Sequence, residues 1–260
     1  MKTNPLRAGV ERGELQIGTW VNMVRNPAIL PLLKAAGLDF ARFDMEHSGP
    51  SIETIANMAL LARALDFPIA VRMPRANREW ITRLLDLGVY TLHCPQVESA
   101  KHAEEIVAAT RYAPRGQRGW AGMSPAWDYE KTVSPKEKKE FANREVFVTV
   151  MFETAEAFTD LDDIAAMDGI DALTIGPADL SQNLGIAGTP DQAKVLDEKR
   201  TQVLEAAKKH GKTCAMLVSS AEQAQQWKEA GALILAYASE VDVLHDAFKQ
   251  AMARIKGASA

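Results

Sequence analysis

Eight short apolar runs, alternating with longer stretches of helical periodicity, constrain this chain more than any other feature. The runs are "LQIGTWV" (15–21), "LDFARFD" (38–44), "PIAVRMP" (68–74), "VYTLHCP" (89–95), "VFVTVMFE" (146–153), "DALTIGP" (171–177), "TCAMLVS" (213–219) and "LILAYAS" (233–239). Most are almost continuously apolar, the pattern of parallel strands covered on both faces. Between them, "SIETIANMALLARAL" (51–65) opens on Ser51, with Glu53 and Thr54 in its first turn, which is acceptable helix-starting chemistry although Pro50 precedes the cap. "REWITRLLDLG" and "AEQAQQWKEAGA" carry Gly88 and Gly231 where a left-handed residue stops a helix. Eight βα units in 260 residues predict an α/β protein, a (β/α)8 barrel forming one domain over 1–260. A doubly wound open sheet is the competing architecture, but no glycine-rich phosphate loop follows the first strand.

Composition narrows the partners. A net charge of −4 gives no reason to expect nucleic acid or an anionic membrane. No apolar run approaches the roughly 20 residues that cross a bilayer, and the first residues lack a signal-peptide core. Cys94 and Cys214 are the two cysteines, without a C-x-x-C pair, so a cytoplasmic protein with no disulfide framework or thiolate zinc site is expected.

One stretch breaks the rhythm. Residues 111–145 are rich in Arg, Gly, Pro, Trp and Lys and are longer than an ordinary connection, as lids and binding loops are. "SPKEKKEFANRE" fits a flexible charged insertion. "WAGMSPAWDY" (120–129) fits a binding loop on the metal-site side, with Trp120, Trp127 and Tyr129 as apolar walls and Arg115 or Arg118 meeting an acidic tail. Anchoring of the loop to the barrel is the alternative for these aromatics.

Barrel active sites lie where strands end. Those positions hold Asp44, Glu46 and His47 after strand 2, Arg72 at strand 3, Glu153 at strand 5 and Asp179 in "GPADLS" after strand 6. Glu153 and Asp179 read as ligands of a divalent cation completed by water and substrate oxygens, suiting Mg²⁺ or Mn²⁺. Gly176 and Pro177 can turn the chain so that backbone N–H groups face an anion. Arg72, inside an apolar run, needs an anionic partner, and Asp44 stands three residues before His47, where it can orient the imidazole. A salt bridge for Glu153, a helix cap for Asp179 and a solvated turn for His47 remain the structural alternatives. His93 is assigned to the barrel wall. No lysine falls inside a strand, which argues against Schiff-base chemistry.

The ordered motifs "GTWV", "DMEH", "VRMPRAN", "LLDLGVYTLHCPQVESA", "RYAPRGQRG", "FETAEA" and "GPADLSQNLG" resemble the metal-dependent (class II) pyruvate aldolases of the HpcH/HpaI family over residues 10–255. The type activity of that family is 4-hydroxy-2-oxoheptanedioate aldolase. The resemblance implies cleavage of a 4-hydroxy-2-oxo acid to pyruvate and an aldehyde with Mg²⁺, Mn²⁺ or Co²⁺, in a homohexamer built as a trimer of dimers that exchange the eighth helix. It implies Glu153 and Asp179 as metal ligands, His47 as base assisted by Asp44, and Arg72 polarising the keto oxygen. Gly176, Pro177, Ala178 and Asp179 would hold the pyruvate carboxylate, with Trp20 and Leu217 in the substrate-binding set and Trp127 on the aldehyde side. The amphipathic "VDVLHDAFKQAMARI" is the helix that packs on its own barrel or on a neighbour's.

The chain departs from the family at "HCPQV", where an apolar strand and "PMV" are common, and at Met151, where some members carry Gln; both departures are expected to leave the core chemistry alone. The third, "WAGMSPAWDY", bears on the aldehyde. A citramalyl- or malyl-CoA lyase-like enzyme, or a catalytically silent barrel that binds, are the other readings.

Overall fold

The computed structural model describes residues 1–257. Its eight strands are β1 Gln16–Val21, β2 Phe40–Asp44, β3 Ile69–Arg72, β4 Thr91–Cys94, β5 Phe147–Phe152, β6 Ala172–Ile175, β7 Thr213–Val218 and β8 Ile234–Ser239. They pair in parallel, in chain order, and β8 returns to β1 to close the barrel. Each lies within a run picked out by apolar patterning, because strands sandwiched between a barrel core and a helix layer have little polar environment to face.

Eleven α-helices surround the described barrel: α1 Pro5–Glu11, α2 Ile29–Ala35, α3 Ile52–Leu65, α4 Arg78–Asp86, α5 Ala100–Thr110, α6 Pro135–Glu145, α7 Leu161–Ala166, α8 Pro177–Asn183, α9 Gln192–Lys209, α10 Ala221–Glu229 and α11 Glu240–Ile255. Ser51 caps α3 by accepting from the Thr54 N–H, and Gly88 and Gly231 take positive φ after α4 and α10. The stretch read as a flexible charged insertion is instead α6. Ser134 and Glu137 form a reciprocal capping box and Pro135 sits at the first helical position, so the start of this helix has strong local chemistry.

The barrel floor is small. Phe40, Ala70, Phe147, Ala172, Ala215 and Ile234 meet beneath Leu6 of α1. Gly18 makes room for one of the two phenylalanines, since a Cβ there would stand 2.6 Å from the Phe40 ring. Asn4 fixes the plug by donating its side-chain amide to Thr91 Oγ1 (3.0 Å) and to the Glu145 carbonyl (3.1 Å). With the floor closed at the strands' N-terminal ends, any cleft must open at their C-terminal ends.

The 120–129 segment lies at the opposite end from the expected binding loop. It follows α5, not β4, and a helix returns the chain to the strands' N-terminal side before the insertion begins. Trp127 is fully buried and donates its Nε1–H to the Ala121 carbonyl at 2.7 Å. It packs with Tyr112 and Trp120, and the Arg118 guanidinium stacks 4.6 Å from the Tyr112 ring while pairing with Asp86 at 2.9 Å. The Ala126 carbonyl accepts from Tyr90, the residue just before β4, at 2.9 Å. Arg115 pairs with Asp168, before β6. Trp127 is therefore an anchor and not a substrate-binding residue, and the arginines are engaged far from the mouth.

The last helix, α11, is tied only at its start. The Glu240 carboxylate accepts from the backbone N–H groups of Asn22, Met23 and Val24. Beyond that turn Val243, Leu244, Phe248, Met252 and Ile255 are all exposed, so the helix does not lay its apolar face on its own barrel.

Truncating Trp127 to Ala should remove about 3–5 kcal/mol of stability, the usual cost of emptying a buried aromatic site. Chemical denaturation measures it, and a wild-type midpoint would show that the loop is not an anchor.

Candidate active site

A cleft of about 1210 Å³ opens at the C-terminal ends of the strands, and Trp20, Asp44, His47, Arg72, Gly176, Pro177, Ala178, Asp179 and Leu217 all line it. Trp127 does not. The site begins with an ion pair. Asp44 ends β2 and Arg72 ends β3, and strand pairing places them side by side. Arg72 Nε and Nη2 donate to the two Asp44 oxygens at 2.9 and 2.8 Å. Burial alone would raise the Asp44 pKa, but Arg72 and two backbone N–H groups outweigh it and hold the carboxyl below its usual range. Burial works against the Arg72 charge too, and Asp44, Glu46 and Glu153 more than offset it. The guanidinium lies 4.7 Å from the Trp20 ring centroid.

Asp44 does not orient the imidazole of His47, as its position in the sequence suggested. Its carboxylate is occupied by Arg72 and by the N–H groups of Glu46 (2.9 Å) and His47 (3.4 Å), so it shapes the turn. The half-exposed His47 ring instead faces two other carboxylates, with Nε2 3.6 Å from both Glu46 Oε2 and Asp179 Oδ2.

Glu46 carried no assigned role, yet it sits at the centre of the cluster. Its Oε2 is 3.4 Å from Arg72 Nη1, and its Oε1 accepts from the Gln96 side chain at 3.0 Å. Burial raises its pKa, against the pull of Arg72 and His47. Gln96, expected to leave the chemistry alone, holds two carboxylates at once. At a positive φ of 49°, its backbone N–H reaches Glu153 Oε2 at 2.7 Å. A polar residue directly after an apolar strand and a proline was the only sequence signal for it.

Glu153 is 1% exposed and its Oε1 meets no partner among the described residues. That oxygen rests on Gly176, where a Cβ would stand 1.9 Å away, so the glycine is required by the carboxylate and not by its extended backbone. Burial, with Glu46 and Asp179 nearby and despite the Gln96 hydrogen bond, raises the Glu153 pKa to about 7. Asp179 lies in the first turn of α8 and is not its cap. No three His, Cys, Asp or Glu side chains converge as a metal cage among the described residues. A hard cation held by two carboxylates and completed by other oxygens still fits the set, because the orphaned Glu153 Oε1 is an anionic donor with nothing to bind. Of the departures, Met151 also lines the cleft, and so does His93, which lies in the barrel wall as read from the sequence.

Fold and site together define a parallel (β/α)8-barrel enzyme with a carboxylate-rich centre at the mouth of its strands. The chain belongs to the HpcH/HpaI aldolase/citrate lyase family, whose sequence model matches residues 16–247. It is 30% identical to the hydroxypyruvate/pyruvate aldolase of Delftia acidovorans, over 100% of this chain and 95% of that relative. It is 32% identical to a 4-hydroxy-2-oxo-heptane-1,7-dioate aldolase of Escherichia coli, over 96% of this chain and 94% of the relative. The crystal structure of an HpcH/HpaI aldolase from Desulfitobacterium hafniense has a TM-score of 0.90 and 30% identity, over 98% of both chains. The protein is a carbon–carbon lyase of the aldolase type. No described helix is long and apolar enough to cross a membrane.

The raised Glu153 pKa makes the stability of the fold depend on pH. The folded chain holds this proton more tightly than the unfolded chain, whose carboxyl titrates near 4.5. The stabilising contribution is therefore complete below pH about 4.5 and is lost as pH rises through about 7. In chelator, the thermal midpoint of the wild type should fall across that window relative to Glu153→Gln. Parallel profiles for the two proteins would contradict the buried, unpaired carboxyl.

Proposed function

We propose that this enzyme is a class II pyruvate aldolase, reversibly cleaving a 4-hydroxy-2-oxo acid to pyruvate and an aldehyde. The observation that carries the reading is the closeness of Glu153 to both Asp179 and Arg72, the partner of Asp44, from strand ends far apart in the chain. Glu153 and Asp179 would hold the divalent cation, Mg²⁺, Mn²⁺ or Co²⁺, which when bound supplies Lewis-acid polarisation of the substrate's 2-oxo group. The backbone from Gly176 to Asp179 borders the place for the acid's carboxylate, and Trp20 and Leu217 wall the donor.

In the cleavage direction His47 takes the proton of the C4 hydroxyl. The C–O bond becomes the aldehyde carbonyl, the C3–C4 bond breaks, and its electron pair passes to the pyruvate fragment as an enolate. Arg72, immobilised by Asp44, faces the oxygen on which that charge collects. Glu46 Oε2 lies 3.6 Å from His47 Nε2, beside the ring that carries the proton. A proton returned to C3 completes pyruvate.

Pyruvate release across a panel of 4-hydroxy-2-oxo acids tests the whole reading. Chelator should abolish it, added Mn²⁺, Co²⁺ or Mg²⁺ should restore it, and His47→Ala should lower it about 10²–10⁴-fold in a folded protein. Full activity after exhaustive chelation, or normal cleavage by His47→Ala, would overturn it.

We further propose a trimer of dimers in which α11 covers a neighbouring barrel. The exposed Val243, Leu244, Phe248, Met252 and Ile255 support this, since an unpartnered amphipathic helix leaves its apolar face in water. The buried free thiols of Cys94 and Cys214 accord with a reducing cytoplasm. Light scattering should report a hexamer, and a monomer at micromolar concentration would reject the exchanged helix.

A further inference from the structure

Beneath the site just described, the barrel holds a cation that the proposed cleavage does not use. Arg42 stands two residues before Asp44 on β2, so its side chain enters the barrel on the same face, about 6.6 Å nearer the floor along the strand. The residue is 3% exposed, and its guanidinium lies 5.0 Å from the Trp20 ring centroid and 5.5 Å from that of Phe40. No carboxylate among the described residues pairs with it, and its Nε meets no acceptor. The carboxylate nearest on its own strand, Asp44, is bound to Arg72.

His93 lies beside this cation. It pairs in register with Arg72, is 1% exposed, and meets Trp20 edge-on at 5.5 Å. Neither ring nitrogen has a partner from the described residues. Burial, with Arg42 and Arg72 close by, holds its pKa well below the usual value, so the ring is neutral and offers one N–H donor. Burial and then Arg72 lower the Arg42 pKa to about 9, the direction expected of a buried cation without a counter-ion. Both side chains line the cleft.

Packing alone does not explain this arrangement. A leucine would fill the space between Trp20 and Phe40 without burying a charge, and a buried cation is costly unless an anion meets it. Nearby hydroxyls are engaged by the backbone, Thr174 with the Ala215 carbonyl and Thr19 with that of Tyr237. A guanidinium fork beside an imidazole N–H matches a carboxylate in both charge and shape.

We infer that Arg42 and His93 form an inner subsite that takes the second carboxylate of a 2-oxo dicarboxylic acid, so that the donor side of the enzyme accepts an acid with carboxylates at both ends. The inference rests on the aldolase reading for the place of the first carboxylate at the mouth. Arg42 and His93 share the lining of one cleft with Gly176 to Asp179, where the first carboxylate would sit.

Malate and lactate are non-cleavable probes that differ by that one carboxylate. Calorimetric titration of each enantiomer of both acids, with and without Mn²⁺, should show the wild type binding malate about 10- to 100-fold tighter than lactate. Arg42→Leu should bring the ratio near one, and Arg42→Lys should keep part of it; thermal unfolding confirms that each variant is folded. Equal affinities in the wild type, or an unchanged ratio in Arg42→Leu, would overturn the subsite. A rise in thermal midpoint with formate or chloride that needs Arg42, without a malate preference, would assign the cation to free anions and overturn the substrate role. Binding requires no turnover, so this result stands apart from proton exchange at pyruvate C3 in the wild type, which reads the aldolase activity.

Discussion

The ion pair between Asp44 and Arg72 is the contact on which the mouth of this barrel depends. It joins two adjacent strands where their hydrogen-bonded ladder ends, and both partners are largely shielded from water. Such a pair is stable only if its geometry is good, and here two parallel hydrogen bonds of 2.8 and 2.9 Å meet that demand. The same carboxylate accepts from the N–H groups of Glu46 and His47, which fixes the turn that presents them. The same guanidinium stacks on Trp20 and draws in Glu46. Loss of Asp44 would leave the Arg72 charge buried and two backbone N–H groups without their acceptor, and loss of Arg72 would leave the Asp44 charge buried and free Glu46 and Trp20.

Around that pair the chain concentrates negative charge. Glu46, Glu153 and Asp179 come from three separate strand ends; Asp179 raises the cost of ionising Glu46 and Glu153, and Glu46 raises that of Glu153. Gln96 eases the crowding without adding charge, one amide to each of two carboxylates. What it cannot do is neutralise them, and a divalent cation can. The electrostatic strain and the proposed metal dependence are thus two views of one arrangement. Below it the sign reverses, with the Arg42 guanidinium beside a neutral His93 on the same cleft, so the cleft runs from an anionic mouth to a single cation above the apolar floor.

Alternation in a βα barrel assigns every connection to an end. A segment after a strand opens at the mouth, and one after a helix lies at the floor. The aromatic insertion obeys this rule, and it closes on Tyr90, Asp86 and Tyr112 instead of on substrate. Its composition resembles a binding surface because an anchor that fills irregular space beside the barrel needs the same large, stackable side chains.

Read alone, the sequence determined the architecture and most of the mouth. Strand burial on two faces writes itself as continuous apolar runs, and strand ends are where polar side chains can reach the cleft. Asp44, His47, Arg72, Glu153 and Asp179 were legible for that reason. Which of them touch was decided only by tertiary structure. Asp44 is equally near His47 along the chain and Arg72 across the sheet, and the two-point geometry of the guanidinium wins. Gln96 and Glu46 meet because β2 and β4 flank β3 in a closed barrel, a proximity with no trace in local spacing. Trp127 shows the same limit, because residue type records what a side chain can pack against, and only the path of the chain decides which end of the barrel it reaches.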